Sequence, residues 1–406
     1  MTETGRMAAL RHLGFRRYWL ALILSNFAIQ MQTVAVGWQV YDLTRNPLDL
    51  GLVGLSQFLP ALLLVLVTGA VADRFSRRRI MGIALFAMAL CSGMLFGLTS
   101  VANTSALPIF ASLAVFGAAR AFFNPARQAL VSNLVPPSVL SSAVAINTTT
   151  GQIATICGPV AGGLLYGLSP LAAYGATLGC LSLAGMYILL IPKPDQRTSK
   201  TPPSLQSLLG GFRYIWKEKI VLGAISLDLF AVLLGGAVAL LPVYARDILD
   251  VGPMGLGFLR SAMAIGAITI GLLLVLQPIR DHAGHVMFAA VAVFGLAAVV
   301  FAFSTTLWLS VLMLAVMGAA DMVSVNIRAT LIQLWTPDDL RGRVNAVNQV
   351  FIGASNEVGG FRAGTTAALM GPVAAVAVGG VGTLAVVALW MRWFPDLRKI
   401  RELDGH

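Results

Sequence analysis

Charge is scarce in this chain. Asp, Glu, Lys and Arg make up only 11% of its 406 residues, against 57% hydrophobic ones. A water-soluble domain of that length needs a far more charged surface, so the composition excludes one and points to a polytopic membrane protein. Cysteine is scarce as well. Cys91, Cys157 and Cys180 stand in apolar stretches with no paired spacing, which argues against a disulfide framework and for small helix-packing residues. The four histidines form no ligand cluster; His282 and His285 share a loop, too little for a metal site. No cofactor or metal is expected. The signatures His-Glu-x-x-His, Gly-x-Ser-x-Gly and the P-loop lysine are missing, which disfavours a membrane enzyme or an ATP-driven pump. A channel would sooner show a short pore loop or subunit symmetry than the organisation below.

The basic excess, +11, raises the question of a nucleic-acid partner, but its placement answers it. Arg74, Arg77, Arg78 and Arg79 follow the second apolar stretch, and Lys193, Arg197, Lys200, Arg213, Lys217 and Lys219 follow the sixth, while alternate loops carry almost none. By the positive-inside rule both termini and the even-numbered loops are cytoplasmic, in the inner or plasma membrane. The basic start, MTETGRMAALRHLGFRRYW, leads into an apolar run too long for a signal peptide and reads as a retained first span.

What is present in abundance is apolar stretches of about 20 residues, the length that crosses a bilayer core; we count about twelve. The expected fold is an all-α membrane protein with twelve transmembrane helices in two pseudo-symmetric six-helix bundles, at residues 1–191 and 220–406. Between them, 192–219 reads as a Pro- and Ser-containing linker followed by an amphipathic helix on the cytoplasmic leaflet. The halves repeat at a constant offset of 201 (318 − 117): Gly117 matches Gly318, Arg120 matches Asp321, Arg127 matches Arg328, Asn147 matches Asn348, and Gly158 matches Gly359. Parallel repeats of this kind mark alternating-access transporters. One chain supplies both halves of a pathway, so a monomer is expected.

Charges at bilayer depth cost roughly 2.5–3.5 kcal/mol each on insertion scales and are retained for a partner or a task. Asp321, Glu357, Asp228 and Arg120 are therefore the candidate proton-coupling charges. Asp321, Ser324 and Arg328 share one helical face by their spacing, and Arg362 is a further buried cation. Asn26, Gln30, Thr33, Trp38, Asn124, Ser324, Arg328 and Asn348 are candidates for a substrate cavity. The alternative for the charges is a set of structural ion pairs, such as Arg120 with Asp321 or Glu357 with an arginine.

Two short stretches carry a resemblance. GAVADRFSRRR, 69–79, is similar to the signature loop of the major facilitator superfamily at Gly69, Asp73, Arg74, Arg77 and Arg78, with Ser76 replacing a glycine. The resemblance implies a charged cytoplasmic gate. GPVAGG, 158–163, resembles that superfamily's antiporter motif through Gly158, Pro159, Gly162 and Gly163. ARAFFNPARQALVSNLVPP and TPDDLRGRVNAV narrow the resemblance to its enterobactin-exporter-type efflux subgroup, nearly end to end. It implies export of an organic small molecule such as a drug or siderophore, by exchange with protons. A facilitator, importer or lipid flippase of the same fold is the alternative. The expected partners are a small-molecule substrate, protons and membrane lipid.

Overall fold

The computed structural model describes residues 8–101, 105–193, 205–279 and 281–400. All its regular elements are helices. In lipid a spanning segment must satisfy its backbone polar groups internally, so each long apolar run becomes a helix. Those in the first half are α1 (Leu13–Thr44), α2 (Pro47–Arg74), α3 (Arg77–Ser100), α4 (Leu107–Leu130), α5 (Leu140–Leu168) and α6 (Pro170–Leu189). After the linker come α7 (Leu205–Lys217), α8 (Lys219–Gly235), the single turn α9 (Leu241–Val243), α10 (Gly252–Leu276), α11 (Ala283–Ala302) and α12 (Leu307–Trp335). The chain ends with α13 (Asp338–Met370), α14 (Pro372–Trp393) and the short α15 (Pro395–Lys399). Proline opens several of these helices, Pro170 and Pro372 among them, where its missing N–H is not needed.

Among the described residues, eleven segments are long and apolar enough to cross a membrane. The eleventh crossing in chain order, α13, is the one that falls short on apolarity: its 33 residues carry Asp338, Asp339, Arg341, Arg343, Glu357 and Arg362. With the eleven others it makes up the twelve crossings expected.

The seventh crossing is broken. Helix α8 stops at Gly236, whose φ of +50° is left-handed, a conformation glycine adopts without a Cβ clash. A 3₁₀ turn at Ala237–Leu240, then α9, then a π turn at Tyr244–Ile248 complete the crossing.

By internal packing the chain divides into two compact units, Met1–Leu43 with Ser56–Pro203, and Thr44–Leu55 with Ser204–His406. In the first unit, Phe15, Tyr18, Met81, Leu85, Met88, Phe123 and Leu181 build a dry core among α1, α3, α4 and α6. In the second, Leu227, Met287, Phe288, Ile327, Leu331 and Trp390 do the same among α8, α11, α12 and α14.

The repeat is visible in the packing. A Cβ on Gly117 would lie 2.7 Å from the carbonyl carbon of Gln57, bringing α4 onto α2. One on Gly318 would lie 2.7 Å from the carbonyl carbon of Met263, bringing α12 onto α10. The next matched pair behaves likewise: Gly158 meets Gln30 of α1 at 2.6 Å, and Gly359 meets the Val232 carbonyl of α8 at 2.9 Å. Small residues that admit a neighbouring backbone are how helices associate where no hydrophobic force acts between them.

The linker expected before α7 falls on 194–204, outside the described residues. Helix α7 itself is amphipathic, and its inner face is a packing face rather than one open to lipid. Ile215 is buried, Gly211 sits 2.7 Å (as a Cβ) from the Arg343 carbonyl oxygen on α13, and Tyr214 donates to the Trp335 carbonyl. Phe212 and Trp216 remain exposed and stack on each other. The cysteines are unpaired, and Cys157 is exposed rather than part of a core.

Candidate functional site

The first unit contains a cavity of about 590 Å³. Helix α1 gives it Tyr18, Leu22, Asn26, Ile29 and Gln30. Helix α4 adds Arg120, Phe123, Asn124, Arg127 and Gln128. The polar run NTTTGQIAT at the middle of α5 adds Asn147, Thr148, Gln152 and Thr155. Positions 148, 152 and 155 follow at helical spacing and so face one side. Apolar side chains and amides alternate around the wall, the mixture that orients an organic ligand.

Arg127 is fixed at the wall by three contacts. Its guanidinium donates to Asn26 Oδ1 at 3.3 Å and lies over the Phe123 ring, 5.8 Å from the centroid. Its own carbonyl accepts from the Tyr18 hydroxyl at 3.0 Å. Trp19, one residue on, donates its indole N–H to Thr150 at 2.8 Å and ties α1 to α5 behind the cavity.

Of the candidate cavity residues in this half, Asn26, Gln30 and Asn124 line the space together with Arg120. Thr33 and Trp38 do not. Thr33 donates to the Ile29 carbonyl of its own helix at 2.8 Å, and Trp38 is buried in the core at 9% exposure. Gln128 and the α5 group were not singled out from the sequence, although the 147–155 polar run was the available signal.

In the second unit the matched positions build a different site. Arg328 of α12 forms an ion pair with Asp228 of α8, both buried. Beside them a small cavity of about 10 Å³ has Asp228, Ala231, Phe294, Ala320, Asp321 and Ser324 in its wall, room for about one water molecule. Ser324 is 2% exposed and its hydroxyl has no hydrogen-bond partner among the described residues. Asp321 is half-buried and likewise has neither a hydrogen bond nor an ion pair there.

The other candidate charges lie elsewhere in this unit. Glu357 of α13 packs against Gly54, whose missing side chain leaves room for the carboxylate. It also acts electrostatically on Arg260 of α10, a cation that sequence reasoning passed over. Arg362 proves to be a helix cap: Nε donates to the Leu233 carbonyl at 2.9 Å and Nη2 to the Leu234 carbonyl. These are among the last carbonyls of α8, left without intrahelical partners where the helix breaks. Asn348 is buried at 8% exposure, with an Oδ1 that has no partner among the described residues, but it does not line the small cavity.

The basic loop after α2 is also tied to helix ends. Arg77 donates to the Ala129 carbonyl at 3.1 Å and to Asn133 at 2.7 Å, and Arg78 donates to the Ile191 carbonyl. Those carbonyls sit at the ends of α4 and α6, where a cation also meets the negative end of the helix dipole. Arg17 does the same at Leu190. Arg74 is exposed, Gly69 is half-buried near the end of α2, and the Asp73 side chain lies outside the described ones. In α5, Gly158 and Gly162 press on Gln30 and Met31, with Pro159 and Gly163 buried beside them.

Comparison with known proteins places the chain. The family model described as transmembrane secretion effector matches residues 4–405. The enterobactin exporter EntS of Escherichia coli O81 (strain ED1a) is 28% identical over 421 aligned positions, covering 96% of this chain and 94% of the relative. The EntS of Escherichia fergusonii matches equally over the same shares. Among solved structures, nucleoside transporter NupG superposes with a TM-score of 0.72 at 16% identity, over 94% of this chain and 99% of that one. A bacterial homologue of iron transporter ferroportin, in an inward-facing state, gives 0.70 at 16%, over 95% and 99%. With two repeated halves, a multi-pass helical fold and a match over nearly its whole length, the chain belongs to the transmembrane secretion effector family of major facilitator transporters, and is a membrane transporter rather than an enzyme.

Proposed function

We propose that this protein is an exporter that moves an organic small molecule out of the cell by alternating access, in exchange for protons. The observation that carries the reading is the second unit's polar cluster. Asp321, a carboxyl group with no counter-ion among the described residues, sits beside a one-water cavity and the buried Asp228–Arg328 pair. A carboxyl in that position exchanges its proton with whichever aqueous side reaches it, and Ser324 and Asp228 offer the next hydrogen-bonding groups. Asp321 is the proton-carrying residue in this scheme, and the larger cavity of the first unit is the substrate chamber. The similarity to the enterobactin exporters supports export over uptake.

The remaining assignments follow from the same scheme. Residues 1–191 and 220–406 act as the rocking bundles, with both termini in the cytoplasm and one chain as the transporting unit. The Arg77 and Arg78 loop stiffens the cytoplasmic rim, and the Gly158–Gly163 surface lets α5 slide against α1. Glu357 with Arg260 is a second acid–base pair, placed on α13 and α10.

Everted membrane vesicles test the proposal. Energised vesicles acidify inside, and adding substrate should then discharge the gradient, read with a pH-sensitive dye. Asp321→Asn should abolish the discharge while substrate counterflow without a gradient persists. Uphill accumulation by Asp321→Asn would remove that residue from coupling, and no discharge in the unaltered protein would end the proton-exchange reading.

A further inference from the structure

We infer that the substrate chamber of the first unit selects organic anions and disfavours cations. The inference deepens the proposed function and rests on that chamber being where substrate binds. Among the described residues, two arginines, Arg120 and Arg127, line the chamber, and no aspartate or glutamate does. The rest of its polar wall is made of neutral amides and hydroxyls, which donate and accept hydrogen bonds but add no negative charge.

The chain supplies its own internal comparison. Arg127 and Arg328 occupy matched positions in the two repeats, and each reaches the first crossing of its own half. Arg328 finds the carboxylate of Asp228. Arg127 finds the side-chain amide of Asn26, at 3.3 Å. Positions 26 and 228 correspond with an offset of 202 (228 − 26), one residue from that of the arginines. The same contact is therefore ionic in one unit and neutral in the other.

Neither the Asn26 amide nor the Phe123 face cancels the guanidinium charge. A buried or half-buried cation without a counter-ion is unfavourable unless a ligand brings one. A carboxylate, phenolate or sulfonate in the chamber would supply it, with bidentate geometry available from the planar fork. A cationic drug would meet the like charge of Arg127 and no carboxylate among the described lining residues. The wall's amides and hydroxyls add donors and acceptors, so the favoured ligand is an organic anion bearing several hydrogen-bonding groups.

Two dyes on one xanthene frame make the test: fluorescein as the dianion and rhodamine 6G as the cation. Both are titrated by fluorescence polarisation against the full-length protein in phosphatidylcholine nanodiscs. Fluorescein should bind about tenfold or more tightly than rhodamine 6G, the scale of one charge-assisted contact. Arg127→Gln should erase most of that difference, and Arg127→Lys should restore part of it. Because Arg127→Gln also removes the contacts of Arg127 with Asn26 and Phe123, Asn26→Asp provides an independent arm. It recreates in the first unit the pairing seen at Asp228, and should weaken fluorescein by about tenfold while sparing rhodamine 6G.

Competition separates the two sources of an anion. Displacement of fluorescein by phthalate places a soluble organic anion in the chamber. Displacement by short-chain phosphatidylglycerol alone would make it a lipid-headgroup site and overturn the soluble-ligand assignment. Equal affinity for the two dyes, or an unchanged preference in both Arg127→Gln and Asn26→Asp, would overturn the inference. Binding at equilibrium requires neither protons nor export. Loss of the charge preference with intact proton discharge in vesicles therefore sinks the substrate class alone, and the reverse result sinks only the coupling.

Discussion

Asp228 and Arg328 face each other across α8 and α12 as an ion pair, with side chains 8% and 4% exposed. The pair lies where neither partner can reach bulk water, so each is the other's main source of charge compensation. Removing one partner of such a pair leaves an uncompensated charge and destabilises by about 3–5 kcal/mol. Asp228→Asn should therefore lower the thermal midpoint of the detergent-solubilised protein sharply. The double variant Asp228→Asn with Arg328→Gln should recover much of the loss. A double variant as unstable as the single one would show that the charges do not act as a pair.

The matched glycines make a prediction about equivalence. Gly117 and Gly318 both press on a neighbouring backbone, at Gln57 and Met263. Backbone cannot swing aside as a flexible side chain can, so Gly117→Ala and Gly318→Ala should each destabilise by about 1–3 kcal/mol. Gly97 and Gly151 have open space around the added carbon, and Gly97→Ala should leave the midpoint unchanged or raise it slightly, since alanine favours a helix. Thermal unfolding followed by tryptophan fluorescence distinguishes the two classes.

Arg362 should behave as a structural cap. Its truncation leaves the Leu233 and Leu234 carbonyls without donors inside the membrane, at about 1–3 kcal/mol for each unsatisfied group. Arg362→Ala should raise hydrogen exchange in the segment 233–240, read by mass spectrometry, while Arg362→Lys, able to satisfy one carbonyl, should raise it less. Unchanged exchange in Arg362→Ala would refute the role.

In the basic loop after α2, Arg77→Ala removes the donor to Ala129 and Asn133. The last turn of α4 should fray, with faster exchange at 128–134 and a loss of about 0.3–1 kcal/mol from the helix-end interaction. Arg79, exposed and without such a contact, serves as the comparison, and Arg79→Ala should leave that exchange alone.

Much of this was legible in the sequence because bilayer physics writes a loud signal. Apolar runs gave the crossings, and the offset between Gly117 and Gly318 gave the duplication. Even the eleventh crossing, α13, was counted, although its charges at 338–343, 357 and 362 place it below the apolarity of the others. The partners of individual charges were hidden. Arg362 reads as a buried functional cation in one dimension, but the break at Gly236 turns it into a cap. Trp38 reads as a cavity aromatic by its position near a polar stripe, yet rotation of α1 turns it into the core. The α5 contribution to the chamber was present as NTTTGQIAT, a polar run that draws little notice beside the ionised residues of α4 and α12.

Helix α8 ends at Gly236, and the crossing is then completed by 3₁₀, α and π turns through Ile248. The seventh crossing is thus two levers joined at a single swivel, with the Arg362 guanidinium as the pin beside it. A tilt begun at the Lys219 end need not be carried to the Ile248 end, because no unbroken ladder of backbone hydrogen bonds spans residue 236. Asp228 rides on the first lever, so its pairing with Arg328 of α12 can persist while the far end of the same crossing bends.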